Sequence, residues 1–198
     1  MNKELSTPLA PWTSFSAASP WLRSTTIVLA GSAFVAVCSH IALPLWFTPV
    51  PLTLQPFAVL ILGLLLSPRL AAATLSAYLF EGAAGLPVFA PGFAFTAGVA
   101  HLFGPTGGYL LSYPAVATLI SFFWHRSSRQ FSAALAIAAL GNLIILICGA
   151  IWLAVFTQSP ARPAFALGIL PFLPGDALKV VAAAALATGF QRMRRQNA

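Results

Sequence analysis

The sequence predicts an all-α integral membrane protein, a bundle of six transmembrane helices, and three observations carry that prediction. Hydrophobic residues make up 59% of the 198 and charged ones only 7%, where a soluble domain carries roughly 25% charged residues. Six apolar stretches follow one another along the chain, and the Lys and Arg residues fall almost entirely on alternate connections between them. A chain with so little charge has lipid for most of its solvent, in keeping with a mean hydropathy of +0.90. Six spans of roughly 20 residues use up the length, so one membrane domain is expected.

Residues 1–22, which open MNKELSTPLAPWTSFSAASP, are polar and rich in Pro and Ser. They lack the apolar core of a signal peptide and read as a disordered cytoplasmic tail. The membrane domain then runs over residues 23–192, with a basic cytoplasmic C-terminus at 193–198. Its apolar stretches are Thr25–Leu43, Leu52–Leu66, Leu70–Leu86, Gly107–Trp124, Ser132–Phe156 and Phe165–Phe190. The first carries small residues at Ser32 and Ala36, a spacing that suits close helix contact, within the bundle or with a partner. The second is short and contains Pro56. The sixth is interrupted by Pro171 and Pro174, so its continuous helix is expected to begin at Pro174, where a first-turn proline is tolerated. From there to Arg192 a helix rising ~1.5 Å per residue covers about 28 Å, enough to span.

Charge placement sets the orientation. With the N-terminus inside, Lys3, Arg23, Arg69, Arg126, Arg129, Arg192, Arg194 and Arg195 are cytoplasmic, eight of the ten Lys and Arg. Arg162 alone lies outside, and Lys179 falls within the sixth span. This is the positive-inside pattern, and an odd number of spans would break it. The net charge of +7 therefore reports orientation and contact with anionic lipid, and no nucleic-acid partner is expected. Cys38 and Cys148 sit inside apolar runs as small core residues rather than as a disulfide or metal pair. No nucleophile signature, zinc motif or Walker motif is present, so the chain is not expected to be an enzyme or to hold a cofactor. Active transport would need ATP hydrolysis on another chain, or an ion gradient.

Two segments on the outer side are too irregular to be simple turns. LWFTPVPLTLQP at 45–56 holds three prolines with Thr48, Thr53 and Gln55, and residues 86–109 are rich in Gly, Pro and aromatics. Extended proline-rich backbone cannot satisfy its own hydrogen bonds, and lipid offers none. Such segments are either surface loops or lids over an outward-facing site. Within the second, GPTGGY at 104–109 allows backbone to approach a ligand or a neighbouring helix closely. Charges inside a membrane are costly and mark functional candidates. Asp176 and Lys179 lie three apart on one helix face, with Asp176 in the first turn, where the helix dipole favours an anion. They form either a mutual ion pair that pins the helix or a ligand-binding pair. Glu81 near the outer end of the third span is functional or merely interfacial. His40 and His101 lack a second ligand at metal spacing and read as structural. Asn142 fits interhelical glue.

The ordered set FTPVPLTLQPFAVLILGLLLSPR, YLFEGAAGLPVF, GPTGGY, GAIWL and PFLPGDALK resembles the BioY family, the biotin-specific substrate-binding (S) components of energy-coupling factor (ECF) transporters. The resemblance covers residues 27–190 and implies a six-helix bundle of the ECF S-component type that captures biotin from outside. It implies as partners a transmembrane coupling (T) subunit and ABC-type ATPases, with ATP used only by those subunits, in the cytoplasmic membrane. It also leaves a solitary biotin transporter without ATPase partners, or an S component for another vitamin. By resemblance Asp176 and Lys179 contact the ligand, Asp176 accepting from the ureido N–H groups and Lys179 meeting a ligand oxygen or steadying Asp176. Gly107, Gly108 and Tyr109 match the family's glycine-rich turn near the pocket, and Gln55 belongs to the 45–56 wall. Thr96 stands where relatives carry a ligand-binding Asn, and Leu110 where some carry Arg.

Overall fold

The structure is a computed structural model that describes residues 19–91 and 98–196. Six long helices and two short ones make up the chain among the described residues. They are α1 (Pro20–His40), α2 (Gln55–Leu65), α3 (Pro68–Ala83), α4 (Val99–Leu102), α5 (Gly107–Arg126), α6 (Phe131–Thr157), α7 (Ala161–Gly168) and α8 (Leu173–Gln196). The α5–α6 connection and the C-terminal part of α8 meet at one end of the bundle, where Arg129, Arg192 and Arg194 lie. The chain is an all-α membrane protein built on these six long helices. Of these, α1, α6 and Leu173–Arg194 of α8 are each long and apolar enough to cross a bilayer unaided.

Helix starts follow local chemistry. The Ser19 hydroxyl accepts from the Leu22 N–H ahead of Pro20 at the first turn of α1, the expected N-cap arrangement. Proline occupies the first turn of α2 and α3 as well. Pro56, read from sequence as lying inside the second span, thus begins a helix instead of breaking one. Helix α6 ends on Gln158 in the left-handed region at φ 51, a position usually given to glycine. Pro114 inside α5 removes one backbone donor. One turn on, the Thr118 hydroxyl donates to the Pro114 carbonyl at 2.6 Å.

Four boundaries differ from the sequence expectation. The second stretch is not helical from Leu52: Leu52–Thr53 pairs antiparallel with Ala42–Leu43, β2 and β1, a minimal hairpin that gives the proline-rich segment backbone partners. The sixth stretch divides into α7 and α8, with Pro171 in the turn between them, and α8 begins one residue before Pro174. Helix α1 begins at Pro20, inside the segment read as tail, and α8 continues to Gln196.

The core centres on α2. Residues Ala58–Leu64 are all buried, and the helix packs against α1, α5, α6 and α8. A helix apolar all round belongs in the middle of a bundle, which is why α2 can be short: its ends need not reach both lipid surfaces. The Leu66 carbonyl at its C-terminal end accepts from the Ser121 hydroxyl of α5 at 2.6 Å. Small residues set the spacing elsewhere. Ala183, Ala184 and Ala187 of α8 are fully buried, and α1 meets α3 where Gly31 faces Thr74. The Ser32 hydroxyl donates to Glu81 Oε1 at 2.8 Å across that contact, which occupies Glu81 in helix packing.

Candidate functional site

A cavity opens at the hairpin end of the bundle, enclosing about 510 Å³ of empty space with its mouth included. The hairpin contributes Val50, Pro51 and Thr53, α5 contributes Tyr109, Leu110 and Tyr113, and α6 contributes Ile145 and Leu146. Phe172, Asp176 and Lys179 close it from α8 and the turn before it. The walls are apolar and the polar groups few.

Asp176 and Lys179 are 3% and 8% exposed. Lys179 Nζ lies 2.7 Å from Asp176 Oδ1 as an i,i+3 ion pair. The other carboxylate oxygen, Oδ2, accepts from the Asn142 amide at 3.1 Å. A buried carboxylate is tolerated when its lone pairs are met. Here two donors hold it while further lone-pair sites remain for a third partner. Asn142 Oδ1 is buried and has no hydrogen-bond partner among the described residues. The pairing and the cavity are therefore not alternatives: the ion pair that pins the first turn of α8 also forms part of the cavity wall.

Of the remaining sequence candidates, Gln55 and Tyr109 line this cavity. Gln55 lines the cavity, and its side-chain amide donates to the Tyr78 hydroxyl. Tyr78 in turn donates to the Val88 carbonyl at 3.0 Å, and the Ser39 hydroxyl reaches the same carbonyl at 2.7 Å. Gln55 thus ties the floor of the hairpin to the 86–90 segment. Tyr109 gives its ring to the cavity while its hydroxyl donates to the Gly168 carbonyl at 2.7 Å, fastening α7 to α5. Gly107 and Gly108 are buried against neighbours rather than lining the cavity: a Cβ on Gly107 would strike the Leu102 carbonyl, and one on Gly108 the Trp152 side chain. Their role in the fold is close approach to α4 and α6. The Trp152 indole N–H donates to the Gly104 carbonyl at 2.8 Å, so GPTGGY and GAIWL clasp each other. Thr96 lies outside the described residues. His101 lines the cavity and stacks on Phe89 with ring centroids 4.9 Å apart.

Sequence reasoning placed Asn142 as glue without its partner, and it missed Tyr113 and Phe172. A signal for Tyr113 was present, since it follows Tyr109 by one helical turn on the same face. Tyr109→Phe removes the tie to Gly168 and leaves that carbonyl unmet. A loss of about 1–2 kcal/mol is expected, measured by thermal melting in detergent, and an unchanged melting point would show the tie to be incidental.

The chain matches the BioY family over residues 4–196. It belongs to that family. A relative in Lactococcus lactis, described as the biotin transporter BioY2, is 38% identical over 160 residues, covering 81% of this chain and 85% of its own. A probable biotin transporter BioY of Pyrococcus horikoshii is 40% identical over 143 residues, covering 72% of this chain and 82% of its own. Among solved structures, the S-component for biotin from an ECF-type ABC transporter superposes with a TM-score of 0.79 at 27% identity. It covers 87% of this chain and 92% of that one. The fold is thus shared along 87% of this chain.

Proposed function

We propose that this chain binds biotin in the cavity and serves as the substrate-binding component of an ECF-type transporter that takes the vitamin up. One observation supports this reading above the others: a buried acceptor, Asp176, fixed by Lys179 and Asn142 on the wall of an otherwise apolar cavity. Biotin is a fused bicycle with a ureido head rich in N–H donors and a sulfur ring and valeryl chain that are apolar. Asp176 accepts a ureido N–H, and a charge-assisted bond of that kind is the stronger sort. Lys179 balances the carboxylate and holds its orientation. The hairpin, Leu110, Ile145 and Phe172 enclose the bicycle. The ligand carboxylate stays toward the mouth, where water meets its charge.

The basic end of the bundle, with Arg126, Arg129, Arg192 and Arg194, faces the cytoplasm by the positive-inside rule. Both termini then lie inside, and the cavity mouth opens outside the cytoplasmic membrane. The membrane domain spans residues 23–192 between a cytoplasmic N-terminal tail and a short basic C-terminus. A T subunit and ABC-type ATPases supply the energy.

The purified chain in detergent or nanodiscs is expected to bind biotin, with neither thiamine nor riboflavin competing. Asp176→Asn keeps the shape but removes the charge. Bonds to charged groups contribute about 1.5–3 kcal/mol, so affinity should fall roughly ten- to a hundredfold. Equal competition by the other vitamins, or an Asp176→Asn chain that binds as tightly as the native one, would overturn the assignment.

A further inference from the structure

The hydroxyl of Tyr113 faces the cavity wall without an acceptor among the described residues. Tyr109 and Tyr113 line the cavity and Tyr78 lies behind Gln55, and two of these three tyrosines have spent their protons. Tyr78 donates to the Val88 carbonyl, and Tyr109 to the Gly168 carbonyl. Tyr113 is 2% exposed, lines the same cavity, and its hydroxyl has no hydrogen-bond partner among the described residues. It follows Tyr109 by one turn of α5, so it sits about 5–6 Å deeper along the helix. The hydroxyl oxygen is not among the fully buried unpaired atoms, which are Thr74 Oγ1, Trp124 Nε1 and Asn142 Oδ1 among the described residues, so it keeps surface toward the cavity, where a ligand oxygen can meet it. Phenylalanine would fill the same volume but offer no donor.

Taking the biotin reading as its basis, we propose that Tyr113 is a ligand-contacting, specificity-determining residue whose hydroxyl donates to the carbonyl oxygen of the ureido ring. The geometry of the ring selects the carbonyl. A cyclic urea carries its C=O between two N–H groups that diverge, so a ring held through one N–H by the acceptor-only Asp176 turns its carbonyl toward an adjacent wall. A neutral donor in that position completes recognition of the ring, and a site built this way rejects ligands that lack the matching group. Tyr109, with its proton committed to Gly168, supplies a flat wall and no ligand bond.

The test is Tyr113→Phe, which deletes one oxygen and keeps the ring. The expected variant melts at the native temperature or above without ligand and binds biotin roughly ten- to a hundredfold more weakly. At saturating ligand, the stretching band of a ¹³C-labelled ureido carbonyl should move to higher frequency in the variant than in the native complex, because the carbonyl has lost a donor. A merely structural tyrosine would leave that band in place. Unchanged affinity, or weaker binding with an unmoved band, overturns the proposal. Failure of the native chain to bind biotin, or a silent Asp176→Asn, would instead remove the biotin reading and Tyr113's role with it. Native binding that depends on Asp176 beside a silent Tyr113→Phe removes only the role of Tyr113.

Discussion

Lys179→Met is expected to be among the most destabilising single substitutions in the chain, and removal of its partner as well is expected to restore much of the loss. Both side chains are almost wholly buried. Taking away the ammonium leaves the Asp176 carboxylate in an apolar wall with the Asn142 amide as its remaining donor among the described residues. Breaking a buried pair in this way costs about 3–5 kcal/mol, whereas replacing both members by apolar groups of similar volume is often neutral. The doubly substituted Asp176→Leu, Lys179→Met chain should therefore unfold close to the native midpoint, and adding Asn142→Leu should complete the recovery by removing an amide whose Oδ1 is already unmet. Each of these apolar variants should bind no biotin. Unfolding in detergent and ligand binding, measured on the same preparations, separate the two effects. A double variant as unstable as Lys179→Met alone would show that the cost arises from packing rather than from charge. Recovery in the double variant, with biotin binding lost, would instead show a cluster retained for ligand recognition at the expense of stability, the pattern expected of a functional site.

Gly108→Val should be the second large effect, and it acts through the helix pair α5 and α6. A Cβ at this position would lie 2.6 Å from the Cys148 carbonyl oxygen and would also collide with the Trp152 side chain. Backbone cannot yield as a flexible side chain can, so the helices must part. Overpacking costs typically 1–3 kcal/mol. A displaced Trp152 would also forfeit its bond to the Gly104 carbonyl, worth about 1 kcal/mol. Tyr109, next in sequence, would be carried away from Gly149, against which its ring is packed. Gly189 supplies the contrast. It lies in α8 with open space where its Cβ would stand, so Gly189→Ala should stabilise the helix by about 0.5–1 kcal/mol. Yield of folded protein and melting temperature test both. Similar losses at the two positions would refute the argument from close approach.

The parts of the molecule that were legible in the sequence are those governed by local or additive physics. The long apolar helices, α1, α6 and α8 above all, followed from apolar length. Asp176 and Lys179 stood out because charge is costly in a membrane, and their mutual reach followed from helical spacing. What was not legible depends on partners far away in the chain. Asn142 meets a carboxylate 34 residues on, and nothing near it in sequence announces that. The pairing of Ala42–Leu43 with Leu52–Thr53 was hidden because prolines argue against strands, although two residues on each side are enough to satisfy the local backbone. The glycines of GPTGGY were visible, but whether they meet ligand or helix was decided by Trp152 and Leu102, which only the fold brings to them.

The internal cancellation at Asp176 and Lys179 has a consequence for the energetics of uptake. Because the pair is neutral as a unit, it brings no net positive charge to offset the carboxylate of a monoanionic ligand such as biotin. Inward movement of that ligand with the pair intact therefore carries one uncompensated negative charge against an inside-negative membrane potential. The work is about 2.3 kcal/mol for each 100 mV, enough to oppose accumulation by more than tenfold. A passive carrier built on this site would equilibrate biotin to a lower concentration inside than outside. Net accumulation through it requires an external source of work, and its steady-state ratio should depend on voltage.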